Sequence, residues 1–216
     1  MNLLREYIRM LLTEAAKTVD DVIANDMKIV IYPGARSRGA VEGARIYYAT
    51  ATGGTKFRND GVVDDLDNPS ALGQIEIEKF GPTVFGHCDD AFLVSWADAE
   101  HGWGPLLYDV AIEYATLNGG GLMSDRQAVS RDAEGVWSYY KSNRGDTGGI
   151  QLDDLKNTLT PDEQDNCDQT LARDHSYRTG PNMLKNWAES YFSKRWTKAP
   201  TTINALKAAG KLVDHT

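Results

Sequence analysis

Residues Ala91–Asn143 read AFLVSWADAEHGWGPLLYDVAIEYATLNGGGLMSDRQAVSRDAEGVWSYYKSN. The near-continuous apolar run Ala91–Ala97 predicts a strand buried on both faces. A short acidic loop with Gly102 and Gly104 follows, then Pro105, a residue favoured in the first turn of a helix because its missing N–H would have had no partner there. Leu107, Val110, Ala111, Tyr114 and Ala115 then fall at i, i+3, i+4, i+7 and i+8, the stripe of an amphipathic helix. Gly119–Gly121 end it, Leu122–Ser124 supply a short strand, and a second helix carries Ala133, Val136, Trp137 and Tyr140 on one face. The unit is strand, glycine turn, helix, strand, helix.

Upstream, Met27–Tyr32 (MKIVIY) reads as a strand closed by Pro33-Gly34, and Ala44–Thr52 as a second closed by Gly53-Gly54. In Leu72–Phe80, Ile75 and Ile77 alternate with Gln74, Glu76 and Glu78, the pattern of an antiparallel strand with one wet face. Arg36 and Arg38 fall in a loop, 18–26 reads as a connector or helix extension, and 55–70 as a long polar connection. The fold class is therefore α/β or α+β. The expected layout is a mostly antiparallel twisted sheet with helices on both faces. Residues 1–16 form an amphipathic helix, 17–144 the core, and 145–216 an extension packed on it.

The chain has 216 residues and a net charge of −8, which argues against nucleic acid as a bulk electrostatic partner. It contains no apolar run long enough to span a membrane. Two widely separated cysteines, Cys88 and Cys167, make neither a disulfide framework nor a metal spacing, and imply reduced thiols in an intracellular setting. Charge is segregated in the tail: eight acids against three bases over 145–180, then six bases against one acid over 181–211. Leu184, Trp187, Ala188, Tyr191 and Phe192 in the second of these stretches lie at helical spacing, which favours a packed helix over a surface that stacks bases.

Two glycines ahead of a helix N-terminus let backbone approach an anion, where free N–H groups and the helix dipole favour phosphate. With this turn set between a strand meander and two helices, residues 27–143 resemble the GNAT-type N-acyltransferases. In that family the turn reads Q/R-x-x-G-x-G/A and cradles the pyrophosphate of acyl-coenzyme A. Here the span is Ala99-Glu100-His101-Gly102-Trp103-Gly104: both glycines are present, Ala99 replaces the leading Gln or Arg, and Asp98 and Glu100 add negative charge. Leu106–Ala115 looks like the family's LLxxxxxxA helix. Ser130–Trp137 looks like its N-x-x-A-x-x-x-Y segment, with Trp137 at the place of the tyrosine that protonates the departing thiolate. Trp has no useful titration, and Tyr140 lies one turn away.

The resemblance implies acetyl-CoA as cofactor, bound by His101, Gly102, Trp103 and Gly104. It implies a small-molecule or peptide amine as acceptor; Asp98 at the end of the central strand, or a water, is the candidate base, and Tyr140 the candidate acid, although it shares the apolar stripe of a packed helix. No metal is expected: His87-Cys88-Asp89-Asp90 are adjacent residues that point apart, and Asp162, Asp165 and Asp168 lack the spacing of a calcium loop. The segment 1–16 is similar to the capsid-targeting peptides of internal head proteins in T-even-type phages, which are cut after a Leu/Ile-x-Glu triplet; Leu12-Thr13-Glu14 before Ala15 matches. The alternative is thus a catalytically silent GNAT-like phage protein that binds a phage head or host protein, in the host cytoplasm or packaged in the virion.

Overall fold

The structure, a computed structural model, describes residues 16–34, 39–50, 72–81, 87–125, 129–143, 146–168, 188 and 190–215. The Leu12-Thr13-Glu14 triplet, all of segment 1–16 except Ala16, Arg36, Arg38, the 55–70 connection, Leu184 and Trp187 lie outside the described residues.

One mixed sheet of eight strands runs through the molecule in the order β6-β7-β5-β4-β3-β2-β1-β8. Strands β1 (Met27–Pro33), β2 (Ala40–Thr50), β3 (Gly73–Phe80) and β4 (Phe92–Ala99) form an antiparallel meander. Strand β5 (Leu122–Met123) pairs parallel to β4. The helix joining them is α2 (Gly104–Asn118); α1 (Val19–Ala24) precedes β1, and α3 (Arg131–Asn143) follows β5. The tail then supplies β6 (Thr147–Gln151), β7 (Lys194–Lys198), α4 (Thr201–Ala208) and β8 (Leu212–Asp214). Residues 145–216 therefore do more than pack on the sheet: they provide both of its edges.

Alternation decides what each face carries. Ile29, Ile31, Ile46, Ile75, Ile77, Phe92 and Val94 point to one face and are buried with residues from all four helices: Val22, Leu107, Trp137 and Leu206 among them. Among the described residues the helices thus cover one face, where helices on both were expected. The opposite face has a smaller cluster of Cys88, Ala91, Leu93, Met123, Leu152 and Cys167, formed by the turn His87–Asp90 and the loop after β6.

Three sequence expectations change. Strand β4 is buried only at Phe92–Val94 and open from Ser95 onward, with Trp96 44% exposed, so it is not a strand buried on both faces. Helix α2 is buried continuously from Leu106 to Ala115, Asp109 and Glu113 included, so its surroundings are core on every side rather than along one stripe. The tail stripe is no helix where it is described: Tyr191–Ser193 is a short 3-10 turn and the next five residues are β7. Only α1 departs in the other direction, since 18–26 holds a helix whose Thr18 N–H and hydroxyl both donate to the Asp21 carboxylate, at 2.9 and 3.0 Å.

The cysteine expectation is corrected as well. Cys88 and Cys167 are joined as a disulfide with Cα atoms 5.4 Å apart, within the range such bonds need. Residues separated by 79 positions meet because the loop after β6 folds back over the turn before β4.

That loop is organised by Asp153, which is fully buried. Its carboxylate accepts from the N–H groups of Asp154 (2.7 Å), Leu159 (2.6 Å) and Thr160 (2.8 Å) and from the Thr158 hydroxyl (3.3 Å). Burial pushes the carboxyl up, and the donors outweigh it and hold it below its ordinary value. A lowered pKa contributes stability above the unfolded value of about 3.9, lost as pH falls through the folded value. Asp153→Asn is expected to destabilise by about 1–3 kcal/mol at neutral pH. Urea unfolding between pH 3 and 7 checks this: the gap between wild type and variant should narrow below about pH 4.

Candidate functional site

The turn after β4 is fixed by its backbone. Trp103 N–H donates to Glu100 O at 3.0 Å, closing four residues, and Gly102 sits third in the turn with φ of +86°, a conformation only glycine adopts without strain. Gly102 O accepts from Lys17 N–H at 2.8 Å. Trp103 folds into the core at 7% exposure, edge-on to Tyr48 with centroids 5.0 Å apart, and its carbonyl accepts from the Tyr48 hydroxyl at 2.8 Å. The Lys17 ammonium lies 5.8 Å from the Trp103 ring centre. The tryptophan therefore anchors the turn from below, while His101 is exposed at its tip.

Gly104 begins α2 and Pro105 follows it, with no side chain capping the helix. The N–H groups of Gly104 and Leu106 consequently have no i−4 carbonyl within the helix. They stand at one end of a cleft of about 170 Å³. Its floor is the β3–β4 pair at Gln74, Ile75, Ala97, Asp98 and Ala99; one wall is the first turn of α2, at Gly104, Leu107 and Tyr108; the other is α3, at Ser130, Ala133 and Val136. The Ser130 hydroxyl accepts from Ala133 N–H at 3.2 Å and its carbonyl from Glu134 N–H at 2.9 Å, the bonds of a helix cap. Two helix N-termini thus border one cleft of mixed polar and apolar lining.

The two candidate catalytic residues fare differently. A Cβ built at Gly104 would lie 3.7 Å from Ala99 Cβ, so Ala99 faces α2. Strand alternation then puts Ala97 on the same side and directs the Asp98 carboxylate to the other face of the sheet, beside its paired residue Gln74. Asp98 borders the cleft without aiming its acid into it. Tyr140 is 2% exposed; its hydroxyl donates to Asp109 Oδ1 at 2.7 Å and approaches Pro105 O at 3.3 Å. Trp137 lies edge-on to Tyr108 at 5.5 Å and stacks on Trp196 at 6.4 Å. Both α3 aromatics hold α3 against α2 and β7.

Gly104 lines the cleft, whereas Gly102 and Trp103 shape the turn that precedes it. Sequence reasoning missed Tyr108, Ser130, Ala133 and Val136. Only Tyr108 carried a usable signal, being four residues beyond Gly104 and so on the same helix face.

Among the described residues, no group of three His, Cys, Asp or Glu side chains is placed to hold a metal, and no helix is long and apolar enough to cross a membrane. Comparison of the chain with protein-family models, curated proteins and solved structures gives no match.

Proposed function

We propose that this chain is a GNAT-like protein whose cleft takes the acyl-thioester arm of acyl-coenzyme A and passes the acyl group to an amine. The observation that carries the reading is the continuity of this cleft, of mixed polar and apolar lining, with the uncapped N-terminus of α2. A coenzyme A thioester suits both, with a long arm of mixed polarity and a phosphate group suited to a helix N-terminus. The order meander, glycine turn, helix, parallel strand, helix also supports it, and β6 and β7 extend the sheet beyond β5. The acceptor is a small-molecule or peptide amine. With the Asp98 carboxylate across the strand, its proton goes to water at the cleft mouth.

A second reading has its own support. The Tyr140 hydroxyl is committed to Asp109, and Trp137 offers no acid. A chain in which neither Tyr140 nor Trp137 serves as the acid for a departing thiolate suits a phage protein that acts by binding a head or host partner, in the host cytoplasm or the virion.

Calorimetric titration of acetyl-CoA into the full chain separates them. The first reading expects micromolar binding, about −8 kcal/mol; silence at high micromolar ligand leaves the second. Gly104→Ala should be tolerated, because its Cβ meets Ala99 at an ordinary 3.7 Å. Gly104→Leu extends into the slot and is expected to abolish the binding while the chain stays folded.

A further inference from the structure

Tyr108 lines the α2 wall of the cleft. It is 5% exposed, its ring is held edge-on by Trp137, and its hydroxyl makes no hydrogen bond among the described residues. Its neighbours differ: the Tyr48 hydroxyl is bonded to Trp103 O and that of Tyr140 to Asp109. Burial pushes the Tyr108 phenol up, so at neutral pH it keeps its proton and has an O–H to donate. The hydroxyl is not among the fully buried side-chain atoms that lack a partner, so it keeps enough accessible surface for water or a ligand acceptor to reach it.

Two helix N-termini border the same cleft. The first turn of α2 presents free N–H groups, and the N-terminus of α3 faces it across the slot through Ser130 and Ala133. From the strand side Gln74 and Asp98 border the cleft, with alternation turning their side chains away. We propose that Tyr108 donates the hydrogen bond that fixes a ligand oxygen, a thioester carbonyl or a carboxylate on a short apolar chain, between the N-termini of α2 and α3. The choice of thioester rests on the acyl-CoA reading; the oxygen on an apolar arm does not.

The test is Tyr108→Phe in the full chain, titrated with acetyl-CoA, with coenzyme A, which lacks the carbonyl, and with hexanoate, which lacks the nucleotide. The variant keeps the ring and its Trp137 contact, and it loses a hydroxyl that nothing in the fold uses, so its melting temperature is expected to be no lower than that of wild type. Affinity for acetyl-CoA is expected to fall about tenfold, with coenzyme A unchanged. If neither coenzyme binds wild type while hexanoate binds and weakens about tenfold in the variant, the acyl-CoA reading fails and the Tyr108 assignment stands. Four results overturn the assignment: acetyl-CoA or hexanoate binding both proteins equally, coenzyme A weakening as much as acetyl-CoA, none of the three binding wild type, or a lowered melting temperature that reveals a structural partner for the hydroxyl.

Discussion

Glu113→Ala is expected to destabilise the protein by about 3–5 kcal/mol, the range for removing one partner of a buried ion pair. Glu113 lies mid-way along α2 at 0% exposure and meets the Lys198 ammonium of β7, whose side chain is 1% exposed. The same carboxylate accepts from Thr202 N–H at 2.8 Å and Ile203 N–H at 2.7 Å, and from the Thr201 hydroxyl at 3.2 Å. Helix α4 starts after Pro200, which has no side-chain oxygen to cap it. Glu113 supplies that acceptor from another element, so one carboxylate ties α2, β7 and α4 together. Alanine leaves Lys198 charged and buried, with the Thr201 and Thr202 hydroxyls at 3.0 and 2.9 Å and a distant Asp146 at 3.7 Å as its remaining company. For a chain of this size the loss corresponds to a fall in melting temperature of about 10 °C. A double-mutant cycle with Lys198→Met is the sharper measurement. Removing both charges should recover much of the loss, because the buried ammonium is then gone, and leave about 1 kcal/mol for the missing cap. Strict additivity of the two single losses would mean the two groups are uncoupled and would sink the assignment.

The Glu113–Lys198 pair also marks where sequence reading stops. Strands β1 to β5 and helices α2 and α3 were legible because each is specified by a local period: alternation at Ile75 and Ile77, a helical stripe from Leu107 to Ala115, glycines where the chain turns. The tail was not. Thr147–Gln151 (TGGIQ) has no strand-forming run, and is a strand because β7 pairs with it along its whole length. Lys194–Lys198 (KRWTK) looks like a solvated basic surface, yet Trp196 and Lys198 are each 3% exposed, one under Trp137 and the other beside Glu113. Both facts depend on residues far away in sequence. The candidate site divides the same way. Gly104 and Tyr108 are neighbours on one helix, whereas Ser130, Ala133 and Val136 reach the cleft only because α3 is packed across α2 by Trp137 and Tyr140. The orientation of Asp98 follows from strand parity, which the bulge in the β3–β4 ladder resets between Glu76 and Ile77 and which no count along the sequence reveals.

Reduction of Cys88–Cys167 is expected to lower stability by about 4.5 kcal/mol, the chain-entropy value for a loop of this length. The bond closes 79 residues of separation, including all of β4, α2, β5, α3 and β6, and both sulfur-bearing residues are at least 98% buried with Ala91, Leu93, Met123 and Leu152. Urea unfolding with and without reductant, and of the Cys88→Ser/Cys167→Ser pair, measures the effect; the reduced protein and the double variant should agree. Denatured, unreduced protein should show no reactive thiol, and two titratable thiols there would refute the bond. Binding gives a separate readout. The disulfide secures the Phe92 end of β4, while the cleft floor is at Ala97–Ala99, and the strand between spans roughly 20 Å at about 3.3 Å per residue. Near the bond, Asp90 also holds the strand's entry through Arg195 at 2.9 Å and through Gly120 N–H at 2.7 Å. Those contacts survive reduction, so ligand affinity at the cleft should be the same in both redox forms at temperatures where both are folded. A change in affinity on reduction would mean that strain travels along β4 to the turn at Gly102, and that the two ends of the strand are coupled rather than independent.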